Sequence, residues 1–188
     1  MDDERTPLMA RAGSAERTGG AISDHLDRQP FDLGALCTRG VAAGLFGGWV
    51  FIVANMYYAL NHGQPAVAPF LAISTIFRGS DMPMMGPQGV IIGLVTHIGL
   101  SMAFGIGFGI VVALLRLTTK PLLLVGASLV YGLLLYGVDF QILGRFFFPW
   151  FVNPMGPNQL FELWIHPVGF GLFLVPFFVG ATAFSRRN

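Results

Sequence analysis

Charge is the first thing this sequence lacks. Charged residues fill only 11% of its 188 positions, where a soluble domain carries about a quarter, and mean hydropathy is +0.65. A chain so poor in charge cannot cover a water-exposed surface, and it reads as an integral membrane protein. The charges present nearly cancel, 11 Lys plus Arg against 10 Asp plus Glu for a formal net charge of +1. No basic surface is left for a polyanion, so nucleic acid is excluded as a partner. Cysteine is reduced to Cys37, which rules out an internal disulfide framework and any Cys-based zinc finger or iron–sulfur cluster. Spacings that announce enzymes are missing too. There is no HxxxH or HExxH, no Ser, His and acid order of a hydrolase, and no Gly-rich loop with Lys. The run Gly105-x-Gly-x-Gly lies inside an apolar stretch without the preceding strand that a dinucleotide site needs. An enzymatic role finds no support. A secretory signal is also lacking, because Asp2, Asp3 and Glu4 stand where a basic region and apolar core should come first.

What is abundant is apolar length. Residues 1–38 form a polar cytoplasmic tail expected to be disordered; of the ten acids only Asp81, Asp139 and Glu162 lie beyond it. A short interfacial helix from Ser23 to Leu36 is conceivable there, although Pro30 interrupts it. The membrane domain, 39–188, holds four apolar stretches at about 39–60, 89–115, 122–144 and 160–184. Each has the roughly 20 residues needed to cross a hydrocarbon core. The predicted fold is therefore all-α, a four-transmembrane-helix bundle in the lipid bilayer. Arg39, Arg116, Lys120, Arg186, Arg187 and the tail arginines outnumber Arg78 and Arg145 on the other side, so both termini are expected in the cytoplasm. The outer loops are substantial. One carries an apolar run, Phe70 to Phe77, that suggests a short interfacial helix; the other, Phe146-Phe-Phe-Pro-Trp-Phe, packs aromatics around proline turns as an interfacial cap.

Small residues recur every four positions, at Gly40, Gly44 and Gly48 in the first span and at Gly89, Gly93, His97, Ser101, Gly105 and Gly109 in the second. Lipid provides no hydrophobic drive between helices, so such stripes mark where backbones approach. Ser128, Gly132, Tyr136 and Asp139 share a face of the third span, and Asn55 lies on the packed face of the first.

Alternating helix direction gathers the ionisable groups at one depth in the outer half: His97, Asp139, and the pair Glu162 and His166. Asn55, Tyr136 and Gln141 join this polar layer. Ionisable groups inside a span are costly unless paired or hydrated, so one layer of them is a functional hypothesis. Two imidazoles with one or two carboxylates suit a transition metal such as copper, zinc or iron, and two facing histidines suit haem. Met82, Met84 and Met85 outside would suit copper(I) entry. The same residues serve equally as interhelical glue, with His97 bonded to Tyr136 or Asn55, and Asp139 to Arg145 or a histidine. Pro167 after His166 removes a backbone donor and should widen or kink the last span, and Pro176 repeats the effect. Three readings stand side by side: a structural or accessory subunit of a membrane complex, a metal or haem binder, and a small transporter or proton path working as a homo-oligomer.

The stretches Gly93-Leu-Val-Thr-His-Ile-Gly-Leu-Ser-Met-Ala-Phe-Gly and Asn158-Gln-Leu-Phe-Glu-Leu-Trp-Ile-His resemble small bacterial inner-membrane proteins of the YagU type. The likeness runs mainly over residues 89–170. It implies a multispan protein of a bacterial cytoplasmic membrane and no defined activity. Asp139 stands where that type is expected to carry a His.

Overall fold

The computed structural model describes residues 32–78 and 82–181. Residues 1–31 of the expected disordered tail, Asp81 and the closing arginines lie outside these residues. Among those described there is no strand, and four helices are long and apolar enough to cross a membrane. They are α1 (Leu33–Asn61), α3 (Pro87–Leu114), α4 (Pro121–Phe146) and α5 (Gln159–Phe177), with a shorter apolar helix α2 (Ala68–Arg78) between the first two. The fold is a four-span helical bundle.

Helix ends follow local chemistry. The Asp32 side chain accepts from the amide of Ala35 at 3.1 Å, so α1 opens at Leu33, ahead of the boundary expected at Arg39. The last residues assigned to the tail are therefore the first turn of a span. Pro87 and Pro121 occupy the first turns of α3 and α4, where a missing N–H costs nothing. α5 ends at Phe177, short of the expected 184. Pro176 tightens the last turn to 3-10 form, and the Gly180 amide then bonds the Thr118 carbonyl in the α3–α4 link.

Packing begins with α1 on α3. All members of both small-residue stripes are buried. A methyl group on Gly44 would sit on the Ser101 carbonyl, and one on Gly105 would meet the Gly40 carbonyl and Gly44 backbone. α2 seats on the other part of the same stripe, its Phe70 backbone against Gly93. α5 lies against α1 and α4; Gly132 of α4 accepts the backbone of His166 and Pro167 with no room for a side chain. α3 and α4, though consecutive, meet chiefly through the Tyr131 hydroxyl, which donates to the Phe104 carbonyl at 2.7 Å. The spans thus close in the order α3, α1, α5, α4.

Neither α4 nor α5 is a plain α-helix. Residues Gly137–Leu143 and His166–Gly171 each form a π-helical turn. The second is the widening that Pro167 predicts. One end of the bundle carries both long connections, with a 3-10 turn at Pro149–Val152 tucking Phe151 edge-on to Phe140 at 5.4 Å. Towards the other end the core is mainly apolar: Phe108, Leu124, Leu174 and Phe178 are fully buried.

The backbone contact generates a paired prediction. Gly44→Ala should lower the thermal stability of the detergent-solubilised protein by about 1–3 kcal/mol, since overpacking forces helices apart. Gly126, with nothing within 4 Å of its would-be side chain, should tolerate alanine or gain up to about 1 kcal/mol. Parallel melting curves of the two variants check it.

Candidate functional site

His97, Asp139, Glu162 and His166 lie around one cavity. In the half of the bundle near the long connections, a space of about 220 Å³ is lined from α1, α2, α3, α4, α5 and the aromatic loop. Most of its wall is apolar. Its polar atoms come from Asn55, His97, Ser101, Asp139, Glu162 and His166.

α5 presents two of these. Asn158 caps the helix by accepting from the Phe161 amide, which fixes Glu162 in the first turn, and His166 follows one turn later. Glu162 is only 3% exposed. His166 Nδ1 lies 2.7 Å from the Glu162 backbone carbonyl and 3.5 Å from its Oε2. A carbonyl only accepts, so Nδ1 carries a proton, and in the neutral form of the ring Nε2 is then an acceptor. That Nε2 faces Asp139 Oδ2 at 3.9 Å. Asp139 sits on the π turn of α4 and His166 opens the π turn of α5, so the two irregular segments bring them face to face.

Glu162 Oε2 is buried and accepts no hydrogen bond. Neither carboxylate is met by a lysine or arginine among the described residues. Arg145, a candidate partner for Asp139, instead donates to Gln141 at 2.8 Å, because both lie on one face of the same helix. A buried acceptor without a donor is expensive in lipid or protein.

His97 is held differently. Its Nε2 donates to the Gly48 carbonyl at 2.9 Å, not to Tyr136 or Asn55, because the glycine contact brings that carbonyl within reach. The ring of Phe51 stacks on His97 at 6.2 Å and meets His166 edge-on at 4.8 Å. Both imidazoles therefore touch one phenyl ring. Among the described residues no group of three His, Cys, Asp or Glu side chains is disposed to hold a metal ion.

Asn55 bonds its own helix at Phe51 and lines the cavity. Tyr136 and Gln141 do not line it. With Gln159 they form a network, Gln141 Nε2 to the Tyr136 hydroxyl at 3.0 Å and the hydroxyl to Gln159 Oε1 at 3.3 Å. Gln159 then donates to the Phe151 carbonyl at 2.5 Å, tying α4, α5 and the aromatic loop together. Sequence reasoning missed Phe51 and Gln159. The signals were there: Phe51 stands one turn before Asn55 on the packed face, and Gln159 follows the capping Asn158.

Above the cavity is a wider vestibule of about 660 Å³, lined by Tyr58, His62, Trp150 and Asn153 among others. Met82 and Met85 line it, while the Met84 amide is held by the Ser74 hydroxyl at 3.3 Å. Asn55 and Glu162 line both spaces. They stand at the junction. No protein-family model, curated protein or solved structure matches this chain.

The geometry separates two kinds of buried polar group. His97→Ala removes a satisfied bond and should cost about 1–2 kcal/mol of stability. Glu162→Met replaces an unpaired carboxylate by an apolar group of similar length and should raise stability by about 1 kcal/mol or more. Thermal unfolding of both in one detergent checks the opposite signs.

Proposed function

We propose that this chain is an accessory protein of a bacterial cytoplasmic membrane, similar to the YagU type, that receives a small and largely apolar molecule into a closed-ended cavity. The observation that carries the reading is Glu162, a buried carboxyl group at the junction of vestibule and cavity whose Oε2 accepts no hydrogen bond. Cavities with mostly apolar walls and a few convergent polar groups are what small-molecule sites look like. The closed end supports reception over passage. Phe104 and Phe170 pack edge to face at 6.3 Å, and beneath them come Phe108, Leu124 and Leu174. In that half the Ser128 and Tyr131 hydroxyls are spent on the Val125 and Phe104 carbonyls.

Orientation follows from charge. Arg39, Arg116 and Lys120 flank the closed end, so this end faces the cytoplasm and the vestibule opens outward. A second reading, a transition metal or haem held by His97, His166, Glu162 and Asp139, draws on one observation, the His166 Nε2 left as an acceptor. Elemental analysis of chelator-free protein separates the two readings. Well under one metal per chain is expected, because among the described residues no three His, Cys, Asp or Glu side chains are disposed around one point.

Access provides the direct test. In a Cys37→Ser background, Ala72→Cys at the wall shared by vestibule and cavity should react with a membrane-impermeant thiol reagent added outside intact cells. Leu174→Cys at the floor should not. Protection of Ala72→Cys in the untreated state, or its labelling only from the cytoplasmic side, would overturn the reading.

A further inference from the structure

We infer that the cavity selects a small organic cation, a protonated amine on an apolar body of about one ring, over neutral molecules of the same shape. The inference rests on the proposed receptor role and adds the chemistry of the occupant.

Three acceptors converge without a donor among them. Glu162 Oε2 accepts no hydrogen bond, Asp139 Oδ2 stands 3.9 Å from His166 Nε2, and in the neutral form of the ring that nitrogen is itself an acceptor, its proton being on Nδ1 against the Glu162 carbonyl. An anion or a bare acceptor brought against these three atoms would meet acceptors, the donors of the cavity being the Asn55 amide and the Ser101 hydroxyl on other parts of its wall. An ammonium group brings several N–H donors and the charge that two carboxylates without a lysine or arginine call for. Charged groups on the elements packed around the site do not supply it: Arg145 is bonded to Gln141, and Arg39 donates to the Phe177 carbonyl at the far end.

The walls agree. Phe51, Phe104, Phe140, Phe148, Phe151 and Phe170 all line the cavity. Aromatic faces attract a cation and tolerate an apolar body equally well. Size sets the rest: a closed space of about 150 Å³ holds a benzene, and this one has about 220 Å³, room for a ring with a short chain. The chemical class is therefore an arylalkylammonium or a comparably small lipophilic amine. The position of Glu162, lining vestibule and cavity alike, lets it meet the cationic end on entry.

The test is isothermal titration of the full chain in mild detergent at neutral pH with two probes of nearly equal shape, 2-phenylethylammonium and propylbenzene. The ammonium should bind more tightly by about tenfold or more. Glu162→Gln, and separately Asp139→Asn, should each narrow that preference while leaving propylbenzene binding within about threefold; two variants guard against one that does not fold. Equal affinity of the two probes would overturn the cation inference and leave the receptor role intact. Binding of neither probe would overturn the inference as well, and the cysteine accessibility of Ala72 would then decide the receptor role on its own. A preference that survives unchanged in both variants would also overturn it, because the carboxylates would not be its source.

Discussion

The contact of α1 with α3 is backbone on backbone, and the rest of the structure takes its shape from that. In lipid the helices gain nothing by hiding apolar surface from one another, so association depends on close van der Waals packing and polar bonds. Gly40, Gly44 and Gly105 leave no room for a methyl group between the two helices. Drawn this close, α1 presents the Gly48 carbonyl to His97 and fixes the ring at 2.9 Å. The same approach carries Phe51 inward, where it touches both imidazoles. With α1 tight against α3 on one side and α5 on the other, α4 is anchored through α5, at Gly132, and has little hold on α3. The cavity lies where that hold is missing.

Two π turns then decide what the cavity contains. A π turn inserts an extra residue into the helical register and turns a side chain that would face elsewhere, which is why such turns concentrate at functional sites. One carries Asp139 and the other begins at His166, on helices that face each other. Pro167 explains the second turn, because it can donate no backbone hydrogen bond. The outcome is a layer that stability alone would not select. Glu162 Oε2 is buried with no donor, and an apolar side chain in its place would avoid that penalty. Breaches of this kind persist where something other than folding keeps them.

Much of this was legible along the chain, for physical reasons. The four spans follow from apolar length, and the contact faces from small residues at steps of four, every one of which is buried. The common depth of His97, Asp139, Glu162 and His166 follows from alternating helix direction alone, and all four line one space. What could not be read was partner choice. A backbone carbonyl exists at every residue and leaves no mark in a sequence, so the bond from His97 to Gly48 was invisible whereas Tyr136 and Asn55 looked like candidates. Arg145 shows the same limit: Asp139 and Gln141 are both nearby, and the i,i+4 geometry on one helix favoured the amide. The early start of α1 was readable in Asp32, a capping residue, but arginine at position 39 is the more obvious edge of a membrane span.

The same contacts that build the cavity bear on whether its contents could cross. Alternating access requires one part of a bundle to rock against another, with contacts at one end loosening as those at the other close. Here the α1–α3 and α4–α5 seams are joined through glycines whose neighbours are main-chain atoms, and main-chain atoms cannot swing aside as a side chain would. Loosening either seam in the closed half would expose mainly apolar surface, because Phe108, Leu124, Leu174 and Phe178 fill it and the Ser128 and Tyr131 hydroxyls are already bonded to carbonyls. Beyond the cavity the bundle is therefore a wall of packed rings and aliphatic side chains, and the wider space adjoining the cavity lies on the opposite side, at Asn55 and Glu162.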